Sequence, residues 1–457
     1  MHRSPLLKWP RAVAAPGAQE AADVAQAEAA DGAASRSARA QILVDATVPA
    51  HFGSPLREQA ALLEGRAVTA LARDVVAVTG PDRLSWLTTL SSQVHTALGP
   101  AHPGVEALIL DAQGRIRHAY AALDDGATTY LLTEAGRGPT LAEFLDTMRF
   151  MLRVEVTLRE DLAVLGAMGQ GRQALEAAVR EAGALLGTWR DPWPGVVAGG
   201  TAYDVGLGSA QRPFKHPGAG WAAGLVLLPL DAVREAARAF LSGAGAVPGG
   251  VRADTAVGGE SLSPRPTASN TGKCCLAGAL AWEALRVEAG RPRLAREVDE
   301  RAIPNELDWL RTAVHVSKGC YPGQETVART LNLGRPPRRL SILQLDGLSG
   351  ELPALGAVVR LERRPVGTVT SVAQHHELGP IALALLRRNT PVDANLAVEV
   401  SEEGAASGVG AGGVTVPVVS AAQEPLVSPE GKARVSPQGR PGAGLRPMVA
   451  PRPGLLH

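Results

Sequence analysis

Lys318-Gly319-Cys320-Tyr321-Pro322-Gly323-Gln324-Glu325 carries more chemistry than any other stretch of the chain. Gly319 and Gly323 flank the thiol, remove side-chain bulk and permit positive φ, so the backbone can turn sharply and another segment can approach it closely. Pro322-Gly323 is a turn signal, and the spacing beyond it predicts a helix over 324–330 with Glu325 and Arg329 four apart on one face. Cys320 then lies on a loop ahead of a helix N-terminus, whose amide dipoles favour an anion, and Lys318 adds a cation two residues away. Both influences favour the thiolate. The same pattern also suits a small buried cysteine in a tight turn beside a solvated lysine. Only five lysines occur, Lys8, Lys215, Lys273, Lys318 and Lys432, which makes the one beside the thiol stand out.

Working outward, strands and helices alternate on the N-terminal side. Residues 75–79 are β-rich and run into Gly80-Pro81-Asp82, a helix-start signal, after which Leu84, Leu87 and Leu90 share one face with Trp86 beside them. Strands at 105–110 and 116–122 flank the turn Asp111-Ala112-Gln113-Gly114 and predict a hairpin, followed by a strand at 129–132 and a helix at 141–151. A second set follows: strand 162–167, helix 172–184, strand 201–205, helix 231–241. This texture predicts an α+β body of antiparallel sheets with helices on their faces. From Arg338 the pattern becomes purely β, with strands at 340–345, 357–361, 367–372, 381–386 and 397–400, which predicts a small barrel.

Domain organisation follows from composition. Ala, Gly and Pro dominate 1–46, 242–273 and 402–457, which predicts a disordered tail, a disordered insertion and a second disordered tail around a body at 47–330 and a barrel at 331–401. The chain has 457 residues, with 46 Lys+Arg against 45 Asp+Glu. Such a balance creates no field that would gather nucleic acid or acidic lipid, so neither direct nucleic-acid contact nor membrane association is expected. Three cysteines cannot form a disulfide framework and fall short of the four thiolates usual for an iron–sulfur cluster. A reducing cytoplasm, no exported segment and a monomer are the corresponding expectations. His375-His376 suits a barrel turn better than a metal site, and no metal is expected.

The stretch 318–325 resembles the Lys-Gly-Cys-aromatic-x-Gly-Gln-Glu signature of the YgfZ-like folate-binding proteins, relatives of the glycine cleavage T-protein (aminomethyltransferase). The resemblance extends through Arg286-Val287-Glu288-Ala289-Gly290, similar to the Arg-x-Glu-x-Gly segment of T-proteins, and through 303–309, 366–371 and 379–384. It implies a three-lobed T-protein-like body with a central cavity for tetrahydrofolate or another reduced folate, closed by the C-terminal barrel. It further implies support of the maturation or repair of iron–sulfur enzymes, including those of tRNA modification, with iron–sulfur assembly proteins or client enzymes as partners. On this reading Cys320 and Lys318 are the working thiol and its cation, while Arg286, Glu288, Gly319, Tyr321, Gly323, Gln324 and Glu325 shape the folate site. Arg286 would neutralise the glutamate tail; on pattern alone it equally suits a salt bridge with Glu283 or Glu288.

Departures from the resemblance bear on mechanism. T-proteins carry paired aspartates after the hairpin turn, where this chain has His118 and Ala119, so the carboxylate that a transferase needs is missing. Arg73 and Asp74 stand where some YgfZ-like proteins carry a folate-stacking tryptophan; Trp86, Trp221 and Trp309 are the substitutes available. A folate-dependent aminomethyltransferase is the alternative reading. A thiol hydrolase is a weaker one, because it requires a histidine base beside Cys320.

Overall fold

A computed structural model of the chain describes residues 3–15, 44–208, 213–243, 272–348, 350–400 and 417–436. The first elements are the short pair β1 (Val13–Ala14) and β2 (Pro49–His51), the helix α1 (Pro55–Leu63), and the strands β3 (Ala67–Leu71) and β4 (Arg73–Thr79). Then come α2 (Arg83–Leu90), the hairpin β5 (Val105–Leu110) and β6 (Ile116–Asp124), β7 (Thr128–Glu134), α3 (Gly138–Met148) and β8 (Glu155–Leu158). Strands β5-β6-β7-β4-β8 form one five-stranded antiparallel sheet. Its two faces follow from side-chain alternation. Val76, Val78 and Leu131 pack under α2 and α3 with Trp86, Leu87 and Leu141. On the other face, Val75, Ala77 and Leu132 look into the centre of the molecule.

The second sheet repeats this logic. It is built from β9 (Leu162–Met168), α4 (Gly171–Glu181), β10 (Gly187–Arg190), β11 (Ala223–Pro229), α5 (Val233–Leu241) and β12 (Cys275–Ala277). Its order is β10-β11-β9-β3-β12, antiparallel except for β12, which runs parallel to β3. Val68, Leu165 and Val226 meet α4 and α5 through Leu175, Val179 and Phe240 on the outer face. Leu162, Val164 and Leu225 face the centre. The expected strand at 201–205 does not form. Gly199 and Gly200 break the ladder there, and the backbone bonds instead to the irregular 308–316 segment, with Thr201 N donating to Leu310 O at 2.9 Å. The continuous apolar run 223–229 supplies the strand in its place.

Next comes α6 (Ala279–Glu288), buried on most of its surface and packed on α1 and β3, followed by the single turn α7 (Leu294–Glu297) and then α8 (Gln324–Leu333). The barrel consists of β13 (Arg338–Leu345), β14 (Val358–Leu361), β15 (Arg364–His375), β16 (Gly379–Arg387), β17 (Leu396–Glu399) and β18 (Val418–Pro425). It closes in the order β13-β16-β15-β14-β17-β18, with β18 bonded to both β17 and β13. Its interior is Leu343, Val359, Val369, Ala384, Val398 and their neighbours, while Leu340, Ile342, Ile381 and Leu383 pack outward onto the body.

Both expected tails are partly built into the fold. Leu6 is fully buried in the outer core of the second sheet, because Pro5–Lys8 forms a 3-10 turn capped by the Ser4 side chain. At the other end β18 is the closing strand of the barrel, and Leu426 and Val427 enter the central core. From there Ser428 N donates to Tyr203 O at 2.8 Å, and Ser436 Oγ donates to Leu331 O at 2.6 Å. The alternating apolar residues Val419 and Ala421 explain this placement, since they fill barrel positions that β17 and β13 leave open. Residues 244–271 of the expected insertion lie outside the described residues.

Candidate functional site

The central cavity lies between the inner faces of the two sheets and α6. The space free of atoms is ≈ 620 Å³ including open solvent at its mouth, and the centre of a water molecule can range over ≈ 80 Å³ of it. Four tryptophans, Trp189, Trp221, Trp282 and Trp309, line it. Trp221 and Trp282 meet edge to face at 5.3 Å, which locks the two rings against one another. Trp86 is elsewhere, in the core under α2.

A polar chain crosses one end. Trp309 Nε1 donates to Glu106 Oε1 at 2.9 Å, and Thr312 Oγ1 donates to Glu106 Oε2 at 2.6 Å. Arg291 lies between two carboxylates, 2.7 Å from Glu106 and 3.0 Å from Asp191, and Trp221 Nε1 donates to Asp191 at 2.7 Å. Burial, reinforced by the neighbouring Asp191, outweighs Arg291 and pushes the Glu106 carboxyl above its ordinary value. Also in the cavity lining, Arg293 bonds Glu134 through Nε and Nη2 at 3.0 and 2.6 Å and reaches Asp45 at 3.0 Å. Burial opposes ionisation of Glu134, but Arg293 and Arg73 overcome it and hold its carboxyl at about 2.

Arg286 does not serve as a free cation. It is 1% exposed, and all five of its N–H donors are used inside the chain. Nε and Nη2 bond Glu283, Nη1 bonds Arg291 O and Glu297, and Nη2 also bonds Ser371 Oγ on the barrel at 2.6 Å. The salt bridge with Glu283 is thus the realised alternative. Glu288 points away to His375 Nε2 at 3.2 Å and does not line the cavity.

The 318–325 loop likewise does not line the cavity. It packs on the turn of the β5–β6 hairpin, whose strands form part of the cavity floor. Gly323 adopts φ +78°, and a Cβ there would lie 2.5 Å from Asp111 O. Gly319 is exposed and is not in the left-handed region. Lys318 is half-buried: its ammonium donates to Thr88 O and Ser91 O at the C-terminal end of α2 and lies 4.7 Å from the centre of the Tyr321 ring. Burial brings its pKa down to about 8. The lysine is therefore bound to a helix terminus, a favourable place for a cation, where a cation acting on the thiol was expected. Tyr321 is buried in the central core, and burial pushes its hydroxyl up to about 12. Gln324 Nε2 closes the loop onto Lys318 O at 3.3 Å, and Glu325 is an exposed partner of Arg329 at 2.7 Å. Cys320 is exposed, and no imidazole bonds it among the described residues.

On the hairpin, Ala119 lines the cavity, while His118 packs against Phe144 with its pKa brought down to about 4 by burial. Sequence reasoning passed over Glu106, Asp191, Arg291 and Trp282. Glu106 did carry a signal, being an acid inside the otherwise apolar strand Val105–Leu110.

No family model matches the chain. In sequence it is 30% identical over 129 residues to the tRNA-modifying protein YgfZ of Vibrio atlanticus, which is 27% of this chain and 39% of that protein. The YgfZ of Pectobacterium atrosepticum is 33% identical over 122 residues, 25% of this chain and 36% of that protein. A putative chloroplastic transferase of Arabidopsis thaliana is 35% identical over 94 residues, 21% of each chain. The chain thus matches well under half the length of these curated relatives. In fold it is similar to the glycine cleavage system aminomethyltransferase T of Bartonella henselae, with a TM-score of 0.54 and 15% identity over 82% of this chain and 88% of that one. Part of the chain is thus similar in sequence to YgfZ proteins, and its fold is that of the glycine cleavage T-protein.

Proposed function

We propose that this chain binds a reduced folate in the tryptophan-walled cavity and acts as a YgfZ-type factor that supports maturation or repair of iron–sulfur enzymes, including those of tRNA modification. The observation that carries the reading is the cavity itself. Its aromatic lining suits a pterin, and its carboxylate–arginine chain supplies directed polar groups. The Trp221–Trp282 pair would form one wall beside the ring, Asp191 and Glu106 would face its N–H groups, and a bound reduced folate would supply an electron-rich pterin able to carry a one-carbon unit. Cys320, exposed on its loop, is the proposed working thiol, and iron–sulfur assembly proteins or client enzymes in the cytoplasm are the proposed partners. Ala119 at the cavity-facing hairpin position weighs against methylene transfer of the aminomethyltransferase kind.

A titration of the full chain with tetrahydrofolate, read by tryptophan fluorescence, tests the reading. Saturable quenching is expected because four tryptophans line the site. Absence of saturation up to millimolar ligand overturns it.

A further inference from the structure

We infer that Arg73 is the anchor for the anionic end of the cavity's ligand, and that it selects tail-bearing folates over bare pterins; this rests on the folate reading above. Among the arginines of the cavity, Arg286 has no donor to spare. Arg293 is shared among Asp45, Glu134 and Glu283, and Arg291 bridges Glu106 and Asp191. Arg73 differs. Its side chain is the most exposed of the four at 17%, against 2, 9 and 7% for Arg286, Arg291 and Arg293. Among the described residues it has one acidic partner, Glu134, at 2.5 Å, and that carboxylate already receives two bonds from Arg293.

The sheet gives the cavity a direction. Glu106 on β5 and Arg73 on β4 lie on the same face, because the register carries Glu106 to Ala121, Ala121 to Leu132 and Leu132 to Val75, with Arg73 two residues along from Val75. Three strand spacings separate them, about 14 Å across the sheet. At the Glu106 end, two carboxylates share one arginine, an acceptor-rich environment that suits the N–H edge of a 2-amino-4-oxopterin. At the Arg73 end, a guanidinium with donors left over suits a carboxylate. A pteroylglutamate, which joins a donor edge to carboxylates through an aromatic spacer, matches both ends.

The test compares tetrahydrofolate with tetrahydropterin, which lacks the spacer and tail, on the full chain and on Arg73→Gln and Arg73→Lys. Arg73→Gln should weaken tetrahydrofolate by about tenfold or more, the usual worth of a charge-assisted bond, and leave tetrahydropterin within about twofold. Arg73→Lys should recover part of the loss. Equal weakening of both ligands, or of neither, overturns the assignment while leaving folate binding intact. Should Arg73→Gln not fold, the unaltered chain still decides: binding that is equally tight for both ligands and insensitive to salt removes any tail anchor. Binding of neither ligand to the unaltered chain overturns the folate reading itself, and this inference with it.

Discussion

Gly323 and Gly114 meet backbone to backbone: a Cβ on Gly323 would lie 2.7 Å from Gly114 Cα, and one on Gly114 would lie 3.2 Å from Gly323 O. Both have positive φ, +78° and +77°. The loop that carries the thiol is therefore seated on the turn of a hairpin whose strands form part of the cavity floor. The glycines of the 318–325 stretch have different roles, since Gly323 makes this contact and Gly319 meets nothing within 4 Å.

Gly323→Ala should thus be costly and Gly319→Ala mild. Left-handed strain and the clash with Asp111 O together should cost about 1–3 kcal/mol at position 323, read as a shift in the urea midpoint at unchanged slope. Equal costs at the two positions would refute this seating.

Arg286→Ala should destabilise the protein by about 3–5 kcal/mol, because it leaves Glu283 and Glu297 buried with fewer partners. The loss should be present without any ligand. A variant of native stability that has lost only folate affinity would return Arg286 to the role of tail cation.

Glu134 sets an acid limit. Its folded-state pKa of about 2 lies below the ordinary value of 4.5, so the stability it contributes is complete above pH 4.5 and is lost as pH falls from there toward 2. Glu134→Gln should flatten the stability–pH curve within that window and lower stability at neutral pH. An unchanged acid limb in urea titrations would contradict the paired state of this carboxylate.

Lys318 acts at the opposite end of the scale. With a folded-state pKa of about 8 against an ordinary 10.5, it has shed its proton in the folded chain between those values while the unfolded chain still holds it. Stability linked to this lysine therefore rises with pH from 8 to 10.5. The gap between the unaltered chain and Lys318→Met should move in favour of the unaltered chain across that interval, measured by chemical denaturation at matched ionic strength.

Cys320 should be the first thiol alkylated in the native protein, ahead of Cys274 and Cys275, which are half-buried. Burial also pushes the Cys275 thiol up, which slows it further. Peptide mapping after brief iodoacetamide treatment checks the order. Cys320→Ala should keep stability within about 0.5 kcal/mol yet fail to support iron–sulfur enzyme activity in cells lacking the native protein.

The strands with a strong internal pattern were legible in the sequence: the 105–110 and 116–122 hairpin and the β texture from Arg338 onward stand almost where their alternation puts them. Short pieces that depend on distant partners were not. Residues 275–277 form a strand only because β3 offers a free parallel edge, and 418–425 carries too few apolar residues to announce itself without the barrel gap it fills. The site divides in the same way. The 318–325 motif is local in sequence and could be found, and its turn and helix formed as expected. What its side chains touch depends on α2 and the hairpin, more than 200 residues away, and the sequence carries no register between them. The cavity is assembled from eight separate stretches, around Arg73, Glu106, Tyr120, Thr133, Trp189, Trp221, Trp282 and Trp309, so no single window of sequence displays it.

The placement of β18 has a consequence in time. During synthesis β13 and β17 emerge with one edge each unpaired, and the strand that bonds both is among the last described parts of the chain to leave the ribosome. Until then the nascent barrel offers two open strand edges, the kind of template on which other chains add. When 418–425 arrives it closes both edges, and the residues that follow it reach Tyr203 and Leu331 in the body. Closure of the barrel and its attachment to the cavity-bearing lobes are thus a single late event, so a chain cut short before Val418 would leave the ribosome with its interaction-prone edges still open.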